Sequence, residues 1–215
     1  MSPNEIAHYV DHTLLSQTAT LQEILKICDE AEKLEAASVC IPPCHVTSAY
    51  ERFRGKFKIC TVIGFPNGYS TLKAKSAEVI DAIEHGADEI DMVINLSFLK
   101  DKRYSEVKNE IVSLKSLCGD KVLKVIVETC FLTYEEKVRM CELIVESKAD
   151  YIKTSTGFGN GNATLEDVSL FSNILEGTSV KIKASGGIQN FETAEKFIKL
   201  GADRLGSSSL LKLLL

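Results

Sequence analysis

The chain of 215 residues has no excess of basic residues, no membrane-length apolar run, no complete set of metal ligands and no low-complexity linker. Each absence removes a class of protein. With 25 Lys+Arg against 30 Asp+Glu the net charge is −5, which argues against the basic face of a nucleic-acid binder. The longest apolar stretches, such as 210–215, fall far short of a membrane span. The start, Met1-Ser2-Pro3-Asn4-Glu5, lacks the basic region and apolar core of a signal peptide, so a cytoplasmic location is expected. Seven cysteines are an odd number, spread through mostly apolar strings, and read as reduced, mostly buried thiols. Cys40-Ile41-Pro42-Pro43-Cys44-His45 has a metal-like spacing, but no second pair completes a four-ligand set. No metal and no cofactor are expected.

What is present is an ordinary globular composition, 45% hydrophobic and 26% charged. Eight Val/Ile-rich runs read as strands, around 9–14, 38–41, 58–63, 89–94, 122–127, 151–154, 180–184 and 203–206. Helical spacing fills the gaps: Leu21, Ile24, Leu25 and Cys28 form one stripe, and Val138, Cys141, Leu143, Ile144 and Val145 another. Thr20-x-x-Glu23 and Thr133-x-x-Glu136 are capping boxes, and Asn190 marks a further helix start. Ala87-Asp88, Ala149-Asp150 and Ala202-Asp203 each follow a helix and precede a strand, a weak internal repeat of about two strand–helix units. Eight units of about 27 residues point to an α/β fold, a single (β/α)₈ TIM barrel over residues 1–215. An open doubly wound sheet is the alternative, but no Gly-x-Gly-x-x-Gly follows an early strand.

Parallel strands covered by helices should be continuously apolar. Here Glu89 and Asp91 share one strand face, Lys181 and Lys183 another, Lys153 opposes Ile152, and Lys124 and Glu128 lie together. Since the outer face packs on helices, these charges are expected inside the barrel, where they need partners or a task. One reading is a structural ion-pair network. The other is imine chemistry, because a lysine amine attacks a carbonyl only when unprotonated, and a second cation nearby disfavours its protonation. Lys153 and Lys183, near the C-terminal ends of neighbouring strands, form such a pair, and Asp91 can serve proton transfer. Glycine loops follow the last three strands: 156–161, Ser185-Gly186-Gly187 and Gly206-Ser207-Ser208-Ser209. Loops at that end of a barrel are common phosphate cradles.

At these residues the chain closely resembles deoxyribose-phosphate aldolases, class I Schiff-base aldolases on a (β/α)₈ barrel. The matching strings include Asp11-His12-Thr13-Leu14-Leu15, Val39-Cys40-Ile41-Pro42, Gly86-Ala87-Asp88-Glu89-Ile90-Asp91 and Tyr151-Ile152-Lys153-Thr154-Ser155-Thr156-Gly157. They continue through Val180-Lys181-Ile182-Lys183-Ala184-Ser185-Gly186-Gly187 and Arg204-Leu205-Gly206-Ser207-Ser208-Ser209, so the resemblance spans nearly the whole chain. It implies reversible cleavage of 2-deoxy-D-ribose 5-phosphate to D-glyceraldehyde 3-phosphate and acetaldehyde, in deoxyribose phosphate breakdown, without a metal. Lys153 matches the imine-forming lysine, Lys183 the second lysine and Asp91 the carboxylate of the proton relay. Asp11, Thr13, Cys40, Thr156, Gly157, Gly186, Gly187, Ser208 and Ser209 match substrate-binding positions. Cys40 reads equally well as a small buried hydrophobe.

Members of that family often end in a tail with a tyrosine that reaches the site. This chain ends Leu211-Lys212-Leu213-Leu214-Leu215, so the expectation is either that the tail is absent here or that protons move through Asp91, Lys183 and water. The expected partners are a small phosphorylated sugar and aldehydes, and another copy of the chain in a homodimer or larger homo-oligomer, with no nucleic acid and no membrane. Rival readings are a phosphate-binding isomerase or epimerase and a non-catalytic sugar-phosphate sensor. Neither needs a lysine pair.

Overall fold

Four turns of the chain are built alike. In the computed structural model, which describes residues 1–215, helices α2 (Leu21–Lys33), α4 (Leu72–Glu84), α7 (Tyr134–Ser147) and α9 (Phe191–Lys199) each run into a residue with positive φ. These are Glu35 (51°), Gly86 (106°), Lys148 (57°) and Gly201 (106°). A buried alanine follows every time: Ala36, Ala87, Ala149 and Ala202. At three of the turns the alanine N–H reaches back five residues, to Ala31, Ala82 and Phe197 carbonyls at 2.9–3.0 Å. That is the Schellman closure, which satisfies a helix end and aims the chain away from it.

The next residue ties the turn to the neighbouring strand. Ala37, Asp88, Asp150 and Asp203 donate their N–H groups to the carbonyls of Val10, Ile59, Leu123 and Ile182 at 2.8–3.1 Å. Where that residue is aspartate, its carboxylate also accepts the N–H of the same partner: Ile59 at 3.2 Å, Leu123 at 2.7 Å and Ile182 at 2.9 Å. The Ala-Asp repeat is therefore a two-way clamp on the base of a strand pair. A fourth copy, Ala36-Ala37, escapes the sequence pattern because alanine replaces the aspartate.

The clamps tie every second pair of eight parallel strands: β1 (Val10–Thr13), β2 (Ser38–Ile41), β3 (Lys58–Ile63), β4 (Glu89–Val93), β5 (Val122–Ile126), β6 (Tyr151–Lys153), β7 (Lys181–Ser185) and β8 (Arg204–Ser207). They close into a barrel through β1–β8 pairing, as expected. β7 and β8 start one residue later than the apolar runs suggest, since Val180 and Asp203 belong to the turn and clamp. The apolar core lies between sheet and helices, where Val39, Ile59, Ile90, Val125, Ile152, Ile182 and Leu205 point outward.

The remaining helices are α1 (Pro3–Ala7), α3 (Val46–Phe53), α5 (Leu96–Lys100), α6 (Tyr104–Cys118) and α8 (Leu165–Leu175). Both expected capping boxes form, and Asn190 caps α9. Two stripe assignments change: Leu21 and Val145 are exposed, and Ile27 and Met140 are buried in their place. Cys28, Cys40, Cys60, Cys118 and Cys141 are buried, Cys44 and Cys130 exposed, and all are free. No helix is long and apolar enough to cross a membrane.

The clamp is open to test at Asp150, which accepts from Leu123 N–H and from Lys115 Nζ at 2.6 Å. Asp150→Ala leaves that N–H unpaired and should lower unfolding stability by about 1–2 kcal/mol in urea titration. An unchanged midpoint would show that water replaces the carboxylate at no loss.

Candidate active site

Strand register sorts the barrel interior into three layers of four. Ser38, Glu89, Tyr151 and Arg204, on the even strands, are the Cα partners of Asp11, Cys60, Lys124 and Lys183 on the odd strands. Two residues further along the even strands stand Cys40, Asp91, Lys153 and Gly206, each four residues beyond the alanine of its turn. Barrel interiors usually hold such layers as branched apolar side chains. Here most positions are polar or charged.

Asp91 joins the layers. Its Oδ2 accepts from Lys153 Nζ and Lys183 Nζ, both at 2.7 Å. Its Oδ1 accepts from Lys124 Nζ at 2.9 Å and the Cys60 thiol at 3.1 Å. Lys183 also pairs with Asp11, whose other oxygen accepts from Arg204 at 2.5 Å and Ser38 at 2.7 Å. Glu89 pairs with Lys124 at 2.5 Å and with Arg204 at 3.1 Å. Four cationic side chains thus meet three carboxylates, leaving one positive charge in excess. Gly206 makes room for the crowding: a Cβ there would lie 2.3 Å from Ser185 Oγ and 3.3 Å from Lys183 Cε.

Burial alone would push the Asp91 carboxyl up, but Lys124, Lys153 and Lys183 outweigh it and hold it well below the usual carboxylate range. Asp11 follows the same balance, with Lys183, Lys124 and Arg204 lowering it. Burial disfavours the Lys183 ammonium, yet Asp11 and Asp91 raise it above its ordinary value. The hydrogen bond with Cys60 lowers the Cys40 thiol, while burial first and that same bond push Cys60 well up.

Above the network opens a cavity of about 470 Å³. Of the residues expected from sequence, Thr13, Lys153, Thr156, Gly157, Gly186, Gly187, Ser208 and Ser209 line it. Asp11, Cys40, Asp91 and Lys183 lie beneath, fully buried. The N–H groups of Gly186, Gly187 and Ser208 donate to no acceptor in the chain, which suits an anion. Gly186 and Gly187 have φ of 90° and 74°, and a Cβ on either would press on Asn162.

The loop after β6 is built differently. The glycines at 159 and 161 serve packing: a Cβ on Gly159 would lie 3.1 Å from Glu128 Cδ, and one on Gly161 2.6 Å from Cys130 Cβ. The Thr156 hydroxyl, matched in sequence to a substrate contact, is already committed to the Glu128 carboxylate. Cys40, Cys44 and His45 do not converge; the metal-capable groups that do are Cys40, Cys60 and Asp91, and Asp11, Cys60 and Glu89. Sequence reasoning missed Arg204 as a network member and Lys212 on the cavity wall. Arg204 was detectable from its place on the face opposite Leu205. Lys212, alone among leucines, carries no signal.

A closed parallel barrel with a lysine pair on one carboxylate below an anion cradle defines a barrel aldolase of the imine-forming kind. The chain belongs to the DeoC/LacD family of aldolases, whose family model matches residues 6–213. It is similar to a deoxyribose-phosphate aldolase of Clostridioides difficile (strain 630), 55% identical over 95% of this chain and 93% of that protein. A deoxyribose-phosphate aldolase of Clostridium botulinum (strain Alaska E43 / Type E3) is 52% identical over 100% of this chain and 96% of its own length. Among solved structures, the aldolase QR15 superposes with a TM-score of 0.93 at 40% identity, over 96% of this chain and 93% of QR15. The deoxyribose phosphate aldolase of Aeropyrum pernix, described as tetrameric, gives 0.92 at 29% identity, over 99% and 91%.

The network sets a pH window for stability. Asp11 and Asp91 have lowered folded-state values, so their contribution is complete above the unfolded carboxylate range, about pH 4, and is lost as pH falls below it. Lys124 and Lys183 are raised, so theirs is complete below about pH 10.4 and is lost as pH rises beyond. The contribution of these four groups should be constant between these limits and lost on both sides, so the acid limb of the urea midpoint should be shallower in Asp91→Asn. An acid limb of equal steepness in that variant would assign acid unfolding to other groups.

Proposed function

We propose that the protein is a deoxyribose-phosphate aldolase that works through a Schiff base on Lys153, and that it self-associates, as the Aeropyrum pernix relative is described to do. One observation carries the reading: Lys153 lines the cavity and shares Asp91 Oδ2 with a second, fully buried lysine. Lys183 is held as an ammonium by Asp11 and Asp91 together. Lys153 bonds Asp91 alone and faces the cavity, so it is the less tightly held of the two amines and the one a carbonyl can reach.

The chemistry follows from that assignment. Lys153 Nζ adds to the C1 aldehyde of the open-chain sugar phosphate, and loss of water leaves a protonated imine. The C3 hydroxyl then loses its proton to the Asp91 relay and the C2–C3 bond breaks. Its electron pair moves into the imine, giving an enamine, and C3 leaves as the aldehyde of D-glyceraldehyde 3-phosphate. Proton return to C2, with Lys183 and Asp91 carrying the proton, and addition of water release acetaldehyde and the free amine. The imine is the electron sink that a Lewis acid would otherwise supply. Gly186, Gly187, Ser208 and Ser209 hold the phosphate, with Lys212 as the cation on that wall.

Borohydride reduction in the presence of acetaldehyde should add a two-carbon unit to Lys153. Labelling at Lys183 or Lys181 instead would overturn the assignment. In Lys183→Leu the network loses its surplus charge, so the pH profile of trapping should move to higher pH while turnover stays low throughout. Superimposable trapping profiles would leave Lys183 without influence on the nucleophile.

A further inference from the structure

We infer that Glu128 is a positioning residue which, through Thr156, shapes the cavity wall that receives the hydroxylated carbons of the substrate; the inference rests on the aldolase reading above. Four residues other than glycine have positive φ, and Glu35, Lys102 and Lys148 are exposed at helix ends. Glu128 alone among them is buried, at φ 54° and ψ 67°, where β5 ends. Left-handed backbone is disfavoured for glutamate, and its neighbours on both sides enforce it: Val127 N–H bonds the Lys153 carbonyl at 3.0 Å and Thr129 N–H the Thr154 carbonyl at 2.9 Å. The strain is thus held against the strand that carries the nucleophile.

The side chain is as unusual as the backbone. A buried carboxylate normally pairs with a cation, but the polar contacts of Glu128 all go to Thr156. Thr156 N–H donates to both carboxylate oxygens at 3.2 Å, and the Thr156 hydroxyl donates to Oε2. That hydroxyl in turn accepts from Phe158 N–H at 3.0 Å. The clamp fixes residues 156–158, three positions after Lys153, and brings Phe158 edge-on to Phe65 with ring centroids 5.3 Å apart. Gly157, between the two clamped residues, lines the cavity with an N–H that bonds no acceptor in the chain. A negative charge behind this wall opposes a phosphate there, whereas a free N–H suits a neutral hydroxyl. The phosphate then belongs to the loops after β7 and β8, and the wall after β6 meets the carbons between it and the imine.

The test separates this role from a structural one by using two reactions of the same lysine. Acetaldehyde carries no hydroxylated carbons, so borohydride trapping of acetaldehyde on Lys153 reports the nucleophile alone. In Glu128→Gln and in Thr156→Val, trapping should stay within about twofold of wild type, while kcat/KM for 2-deoxyribose 5-phosphate falls about 100-fold, as expected for lost positioning. The double variant should be no worse than the weaker single, because both break one clamp. Unchanged kcat/KM, losses that multiply, or trapping that slows in step with turnover would each overturn the inference. If Glu128→Gln does not accumulate folded, Thr156→Val, which keeps the side chain's shape, decides on its own. Absence of trapping and turnover in the wild type would instead strike at the aldolase reading.

Discussion

A single carboxylate holds the site together. Asp91 receives two lysines on one oxygen and a third lysine and a thiol on the other. Without it, three buried lysines and the half-buried Arg204 would face two carboxylates, leaving two positive charges uncompensated. Its presence explains why three lysines can occupy a barrel that would ordinarily be filled by Val, Ile and Leu. Glycine at 206 leaves room for Ser185 and for the stem of Lys183, which a side chain there would crowd.

Glycine has two separate tasks around the cavity. At 186 and 187 the backbone takes positive φ and leaves N–H groups free, which fits an anion. At 159 and 161 it permits close approach of one loop to Glu128 and Cys130. The two sets look alike in sequence and lie in neighbouring loops, with Asn162, next to Gly161, packed on Gly186 and Gly187. One loop leaves backbone N–H groups free; the other is braced by a buried carboxylate.

Much of this was legible from the chain itself, and the exceptions share a cause. Strand alternation was enough to place Lys153, Lys183 and Asp91 inside, because an outward charge would have to displace a helix. The Ala-Asp repeat was visible at three turns and invisible at the fourth, where Ala37 keeps the backbone bond without the carboxylate. The late starts of β7 and β8 escaped, because Val180 and Asp203 resemble strand residues until the clamp is seen. Glu128 could be placed on the face of Lys124 by alternation, but the left-handed turn at the strand end breaks that alternation. Lys212 meets the cavity only through tertiary folding, and no local pattern encodes that.

The four matching turns give the barrel a coordinate system. Each interior side chain on an even strand has an address: which quarter of the chain it belongs to, and how many residues it stands beyond the alanine. Cys40, Asp91, Lys153 and Gly206 share the same height in four different quarters. The cavity lysine, the shared carboxylate, a thiol and a gap are therefore occupants of equivalent sites on one lattice. Chemistry can be relocated around such a lattice by exchanging side chains between addresses while the backbone stays put, and a new reaction would not require a new fold.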